Sequence, residues 1–459
     1  MLNVTAIPPN PEHSAPGQPR IWRAGTLAYT STGIVILFAW LLLGDFAWSM
    51  RDRSVGPMAQ WYLSQLNVPN LLFGLLISSF PALIGLVLGP VISVKSDRHR
   101  GRFGRRIPFL LITTPLAAAG MIGLGFTPII ARWVHSHFPN ESEMLVSLIC
   151  FGVFWAAFEV ATIAGQAVFG GLVNDVVPTP LLGRFYGLFR AVSLIDGMIF
   201  NYWVFGHVPH HFTLILVTVG IFYGVAFFWV CLRVKEGEYP PPPPVEPGRR
   251  GAIGEMKTYF RECFSQPYFL AVFVMLMAAG LTFSPVNTFS IPYAKSLGVD
   301  MDMFGKSLAL TFAISLCLAY FLGWLVDLFH PLRMVMFCLV GYAAVAFWGA
   351  LFARTADTFL VGWVLHGVLS GCYFTCAASL GQRLFPRIKY AQFASASGIV
   401  MSLATMTLSP TMGILIDQTH DTYRYTFAIG ACLATFALLA AIFVYRNLMR
   451  RGGLDQVPA

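Results

Sequence analysis

The sequence predicts an all-α, polytopic membrane protein: twelve transmembrane helices in two pseudo-symmetric six-helix bundles. Three observations predict it. Only 11% of the 459 residues are charged and 56% are hydrophobic. A soluble domain carries roughly 25% charged residues, so lipid must be the solvent for most of this chain. Apolar stretches long enough to cross about 30 Å of hydrocarbon recur twelve times. A polar, proline-rich segment then divides those stretches six and six.

The elements follow in order. A polar tail covers 1–26; it lacks the apolar core of a cleaved signal peptide, so the first span is expected to be retained. Spans are expected at 27–50, 71–94, 107–130, 144–173, 183–206 and 211–233, making a first bundle over 27–233. The linker 234–267 begins VKEGEYPPPPPVEPGRRG. Pro240 to Pro244 should form a stiff polyproline II strut between the bundles. Residues around Ile253–Phe264 read as a short helix on the membrane surface. The second bundle, 268–446, holds spans at 268–291, 304–328, 332–353, 357–384, 392–416 and 424–446, and a tail over 447–459 closes the chain. Pro and Gly inside these spans are tolerable where neighbouring helices satisfy the freed backbone groups.

Basic residues orient the chain. With the N-terminus inside, 22 of the 30 Lys and Arg fall on cytoplasmic segments, and both termini face the cytoplasm. The net charge of +9 therefore has a topological explanation and points to no nucleic-acid partner. The eight cysteines form no CxxC pair; Cys372 and Cys376 could touch on one helix, and all read as small apolar packing residues. The expected location is the cytoplasmic (inner) membrane.

One motif stands out. The loop after the second span reads SVKSDRHRGRFGRRIP, Ser93 to Pro108. Asp97-Arg98 and Gly104-Arg105-Arg106 resemble the signature that the major facilitator superfamily carries between its second and third helices. The wider spacing, with Arg102 and Pro108, is similar to the glycoside–pentoside–hexuronide cation symporters and the sucrose carriers. Ser93 departs from the pattern, which usually has Gly there. A degenerate echo, Gly323 to Asp327 with Pro331 and Arg333, follows the eighth span, as an internal repeat requires. The major facilitator fold is thus implied. Asp97, Arg98, Gly104, Arg105, Arg106 and Asp327 are expected to form a conformational latch, made in one state and broken in another. The alternative is a loop that serves orientation alone, in which Asp97 has no use.

Ionisable residues within the spans need a reason, because each costs roughly 2.5–3.5 kcal/mol at mid-bilayer on insertion scales. Asp45, Glu159, Arg190 and Asp196 lie in the first half and His366 in the second. At 1.5 Å per residue, Asp45, Glu159 and Asp196 are expected to share a level. Arg51, Asp52 and Arg53 enter the cavity if the first helix runs on past Gly56-Pro57, and lie at the interface otherwise. His366, Ser370 and Tyr373 form one stripe on the tenth span. Pro285 can break the seventh span near Asn287. Trp48 and Trp61 suit either sugar stacking or interfacial anchoring. A purely structural ion-pair network remains the competing account of the charges.

The resemblance implies a role for Asp45, whose Asp-Phe-Ala setting matches an acid of the symporter family's first helix. Arg190 corresponds to a fifth-helix Arg. The family's paired second-helix acids have no counterpart, since residues 79–90 read SFPALIGLVLGP. That favours a proton over sodium as coupling ion. The expected function is secondary transport of a sugar, glycoside or similar small polar solute by a monomer that needs no cofactor. An organic-anion (uronic-acid-like) transporter and a non-transporting receptor or assembly factor are the alternatives. No metal constellation or nucleophile motif points to an enzyme.

Overall fold

The computed structural model describes residues 21–239, 259–386 and 389–454. The Pro240–Pro244 strut and most of the expected surface helix lie outside these residues; 259–264 are helical. A hairpin, β1 (Trp22–Ala24) against β2 (Leu27–Tyr29), opens the fold. The helices are α1 (Ser31–Gln65), α2 (Asn70–Arg98), α3 (Ile107–His137), α4 (Glu143–Val176), α5 (Leu182–Ile199) and α6 (Val208–Arg233). Then follow α7, in two halves (Pro267–Leu281 and Ser284–Ser296), α8 (Met301–Phe329), α9 (Pro331–Phe352), α10 (Ala356–Ala377), α11 (Tyr390–Gln418) and α12 (Tyr425–Arg450).

Eleven continuous runs among the described residues are long and apolar enough to cross a bilayer. One of them, Thr179–Arg233, has 55 residues. At 1.5 Å per residue it would measure about 80 Å, far more than one crossing needs. It passes from α5 through a π turn at Phe200–Val204 and a 3₁₀ turn at Phe205–His207, and non-helical backbone at His211 bends it. It therefore supplies two crossings, and the total is the expected twelve.

The first span differs from expectation at both ends, and the seventh breaks where Pro285 implies. The first span starts at Ser31, not residue 27, because Leu27–Tyr29 pair in the hairpin and Thr30 caps the helix, its Oγ1 accepting from Gly33 N–H at 3.1 Å. It also runs on through Pro57 to Gln65, so Arg51 and Arg53 are helical residues. The seventh span breaks at Thr282–Phe283, just ahead of Pro285, whose missing N–H suits the first turn of a new helix.

Helices α1 to α6 pack together, as do α7 to α12. The bundles meet through α2 with α11, α5 with α8, and α1 with the second half of α7. The first two pairings are exchanged by the sixfold shift in helix number, as a two-fold repeat demands. Among the described residues, the hydrogen bonds between bundles lie in the half of the molecule away from the basic α2–α3 loop. There Asp417 of α11 accepts from the backbone of Asn70 (2.9 Å) and Leu71 (3.0 Å) and from Asn70 Nδ2 (2.8 Å). Lys295 Nζ donates to Ser64 O and Asn67 Oδ1, and Ser79 Oγ to Met406 O. Gly74 and Gly413 let α2 and α11 touch backbone to backbone; a Cβ on Gly413 would stand 2.3 Å from Asn70 O.

Candidate functional site

A cavity of about 400 Å³ lies between the bundles. Arg53 and Gln60 of α1 and Arg190 of α5 line one side; Asn287 and Ser290 of α7, Thr311 and Phe312 of α8, and Trp363 and Ser370 of α10 line the other. Phe304 and Trp363, stacked at 5.2 Å, close it toward the sealed end. A second cavity of about 620 Å³, lined by Gly187, Arg190, Tyr320 and Phe374, continues toward the basic loops. Arg190 and Phe374 line both and so stand at the junction.

Local sequence explains the placement. Arg53 sits eight residues past Asp45 on α1 and reaches across to α5, where Nη2 donates to Ser193 Oγ at 3.3 Å, and its guanidinium lies 4.6 Å over the Phe312 ring of α8. Gly197 makes room: a Cβ there would come within 3.0 Å of Phe312 and 3.4 Å of Arg53 Nε. Asn287 is presented by the break in α7. Its Oδ1 faces His366 Nε2 at 3.0 Å, and His366 Nδ1 meets the Tyr342 hydroxyl at 2.8 Å. An amide oxygen only accepts, so Nε2 carries a ring proton, and in a neutral imidazole Nδ1 then accepts from the phenol.

The charged residues separate into two groups. Asp45, Arg53 and Asp196, with Asp52, lie within electrostatic reach of one another. Asp45 accepts from Ser49 at 3.4 Å and leaves its second oxygen unpartnered; Asp196 is fully buried with both oxygens unpartnered. Arg51 points the other way, into the first bundle. It is fully buried, lies 3.8 Å over Trp48, and donates to Tyr223 (3.3 Å) and Asp52 (2.6 Å). Glu159 neighbours Arg51 rather than Asp45 and Asp196, so the three acids do not form one group. Helical phase accounts for this: Arg51 and Arg53 are two residues, or about 200°, apart.

Of the sequence-derived candidates, Arg53, Arg190 and Asn287 line the cavity, and Asp45 and Asp196 stand beside Arg53. Arg51, Asp52 and Glu159 do not line it. His366 is buried behind Asn287, and Tyr373 packs on Phe283 at 5.2 Å, so only Ser370 of that stripe reaches the cavity. Trp363 was missed as a lining residue; its Nε1 is buried without a partner.

At the basic end, Arg105 makes a bidentate pair with Asp175 of α4 (2.5 and 2.9 Å), and Arg106 bridges Asp97 (2.5 Å) and Asp175 (3.3 Å). Glu236, just after α6, accepts backbone N–H from Arg105, Arg106 and Ile107 at 2.7–2.9 Å. A carboxylate there satisfies the free donors of the α3 N-terminus and its positive dipole end. Gly104, at φ +102°, leaves space that any Cβ would deny to Glu236. The hydrogen bond to Asp175 holds the Arg105 guanidinium above its usual range; burial, then the nearby Glu236, pushes the Tyr239 phenol up. Arg98 and Asp327 are exposed and stay outside this cluster, while Asp175 and Glu236, which the motif does not name, complete it.

The chain is similar to several solved transporters: a D-xylose–proton symporter (15% identity, 93% of this chain and 98% of that one, TM-score 0.65), a bacterial homologue of the human lysosomal transporter Spinster in an inward-facing and unoccupied conformation (13%, 90% and 98%, TM-score 0.63), and the nucleoside transporter NupG (11%, 89% and 100%, TM-score 0.63). At these identities the likeness concerns the fold. Over 80 residues it is 35% identical to proton-associated sugar transporter A of Homo sapiens and of Mus musculus, a match covering 17% of this chain and spanning 10% of the length of those relatives. The family model of the Major Facilitator Superfamily matches residues 37–305 and 273–456. With twelve crossings in two matched bundles around a central cavity, the chain belongs to the Major Facilitator Superfamily.

Proposed function

We propose that this protein is a secondary transporter that moves a sugar-like solute across the cytoplasmic membrane by alternating access, coupled to protons. The observation that carries it is a cavity between the bundles, sealed at one end and continuous toward the basic end, with Asp45 and Asp196 buried beside its Arg53. On the orientation that the basic loops favour, the conformation is inward-facing and both termini are cytoplasmic. The solute binds between the bundles, which rock about it. A carboxyl group with no hydrogen-bond partner, close to a cation that also faces the solute, suits a proton carrier. The named activities of the D-xylose–proton symporter and of proton-associated sugar transporter A support the same reading.

The test uses proteoliposomes with an imposed pH gradient and a panel of D-xylose, D-glucose, methyl β-D-glucoside, D-glucuronate and D-galacturonate. At least one should accumulate against its gradient and move protons with it. Loss of accumulation when the pH gradient is collapsed is expected. Passive equilibration alone would remove the coupling; no uptake of any member would remove the sugar-like solute.

A further inference from the structure

We infer that the solute carries a carboxylate: the cavity is built for a sugar acid rather than a neutral sugar. This rests on the proposal that the cavity binds a sugar-like solute, and narrows it.

The first observation is charge. Arg53 and Arg190 both line the cavity, which among the described residues has no carboxylate in its wall. They lie within electrostatic range of each other, so two like charges face one space. Among the described residues Arg190 has no hydrogen bond and no ion pair, and Arg53 has a single hydrogen bond, to Ser193. Asp45 and Asp196 stand behind Arg53, out of the wall, and offset its charge; nothing described offsets that of Arg190. Each guanidinium has five N–H donors in a fixed fork that matches a carboxylate. Two like charges that face one cavity repel each other, and an anion bound between them removes that cost.

The second observation is the balance of donors and acceptors, and it is independent of charge. The Trp363 indole N–H is buried, unpartnered and on the cavity wall. An indole only donates. The Asn287 carbonyl is turned to His366, which leaves the NH₂ group to face the cavity. His366 is thus a positioning residue: its neutral tautomer, held by Tyr342, decides which end of Asn287 the solute meets. Ser290 and Thr311 already donate to backbone carbonyls, so they turn acceptor lone pairs to the cavity, which suit the hydroxyls of any sugar. The wall donors without a partner of their own, the Trp363 indole and the Asn287 amide, call for an acceptor from the solute. Each hydroxyl of a neutral sugar brings a hydrogen that needs an acceptor, whereas a carboxylate brings only acceptors. Failure to pair such a group costs about 1–3 kcal/mol.

The test is binding calorimetry on the full chain in lipid nanodiscs with matched pairs: D-glucuronate against D-glucose, D-galacturonate against D-galactose, and methyl β-D-glucuronide against methyl β-D-glucoside. In at least one pair the acid should bind tenfold or more tighter than its neutral partner. Arg190→Gln should erase most of that preference, lowering the acid's affinity by a clearly larger factor than its neutral partner's. His366→Phe, which frees the Asn287 amide to turn, should reduce it severalfold. The wild-type comparison needs no variant to fold. Equal or tighter binding of the neutral members overturns the inference and leaves the sugar-like solute standing. An Arg190→Gln variant that weakens both members equally also overturns it. Silence from every pair overturns both readings.

Discussion

At the residue scale, the cost of charge in a bilayer decides which side chains need a purpose. Arg51 has one within the scaffold: an aromatic face, a phenol and Asp52 surround it. Arg190 has none of these, and that difference predicts different responses to Lys. Arg190→Lys keeps the charge but loses the planar fork, so solute affinity should fall tenfold or more with expression unchanged, measured by calorimetry on purified protein. Near-normal affinity would return Arg190 to the scaffold. The two groups of acids separate in the same way. Asp196→Asn should abolish uphill accumulation and spare solute exchange between equal concentrations, because exchange needs no net proton movement. Glu159→Gln removes one of the two carboxylates near buried Arg51, and should lower the unfolding temperature more than it lowers coupling. If Glu159→Gln alone abolished accumulation, the coupling site would lie on α4.

At the element scale, much of the architecture was legible. Spans are long, uniformly apolar runs, and lipid forces each to satisfy its own backbone, so apolarity and length suffice to find them. The break before Pro285 and the continuation of α1 past Pro57 were readable for a related reason: proline is tolerated in a first turn and costs one bond elsewhere. The hairpin was not readable, since three-residue strands leave little pattern. The cavity was half legible. Arg190, Arg53 and Asn287 are polar where lipid should be, whereas Trp363 looks like any membrane tryptophan until its N–H is seen unpaired. Asp175 and Glu236 lie far from the motif in sequence, and only folding reveals them as its partners. Close packing of elements adds a prediction. Gly413 of α11 abuts the Asn70 carbonyl at the start of α2, so Gly413→Val must push these helices apart. Spin labels on the sealed ends of α2 and α11 should report a longer distance than in the wild type. An unchanged distribution would mean that the crossing can absorb a side chain.

At the scale of the whole molecule, alternating access requires two states of nearly equal free energy, so a few contacts set the balance. In this conformation the basic-end cluster ties only elements of the first bundle, Asp97 and Arg105–Ile107 with Asp175 and Glu236. The bundles are instead joined at the opposite end, where the single carboxylate of Asp417 accepts three hydrogen bonds from the start of α2. Hydrogen bonds to a charged group contribute about 1.5–3 kcal/mol each, less in a half-exposed site. Asp417→Asn removes the charge and turns one acceptor into a donor facing N–H groups. A net loss of about 1.5–3 kcal/mol would change the ratio of the two states by roughly 10- to 150-fold. The variant should therefore favour the conformation open at the α2–α11 end. Labelling of single cysteines placed in the cavity by an impermeant thiol reagent applied to that end should speed up accordingly. Solute affinity for each separate conformation should stay as it was, because Asp417 does not line the cavity. Unchanged labelling, with α2 and α11 still joined, would show that Gly74 and Gly413 packing holds this end closed and that the carboxylate merely caps α2.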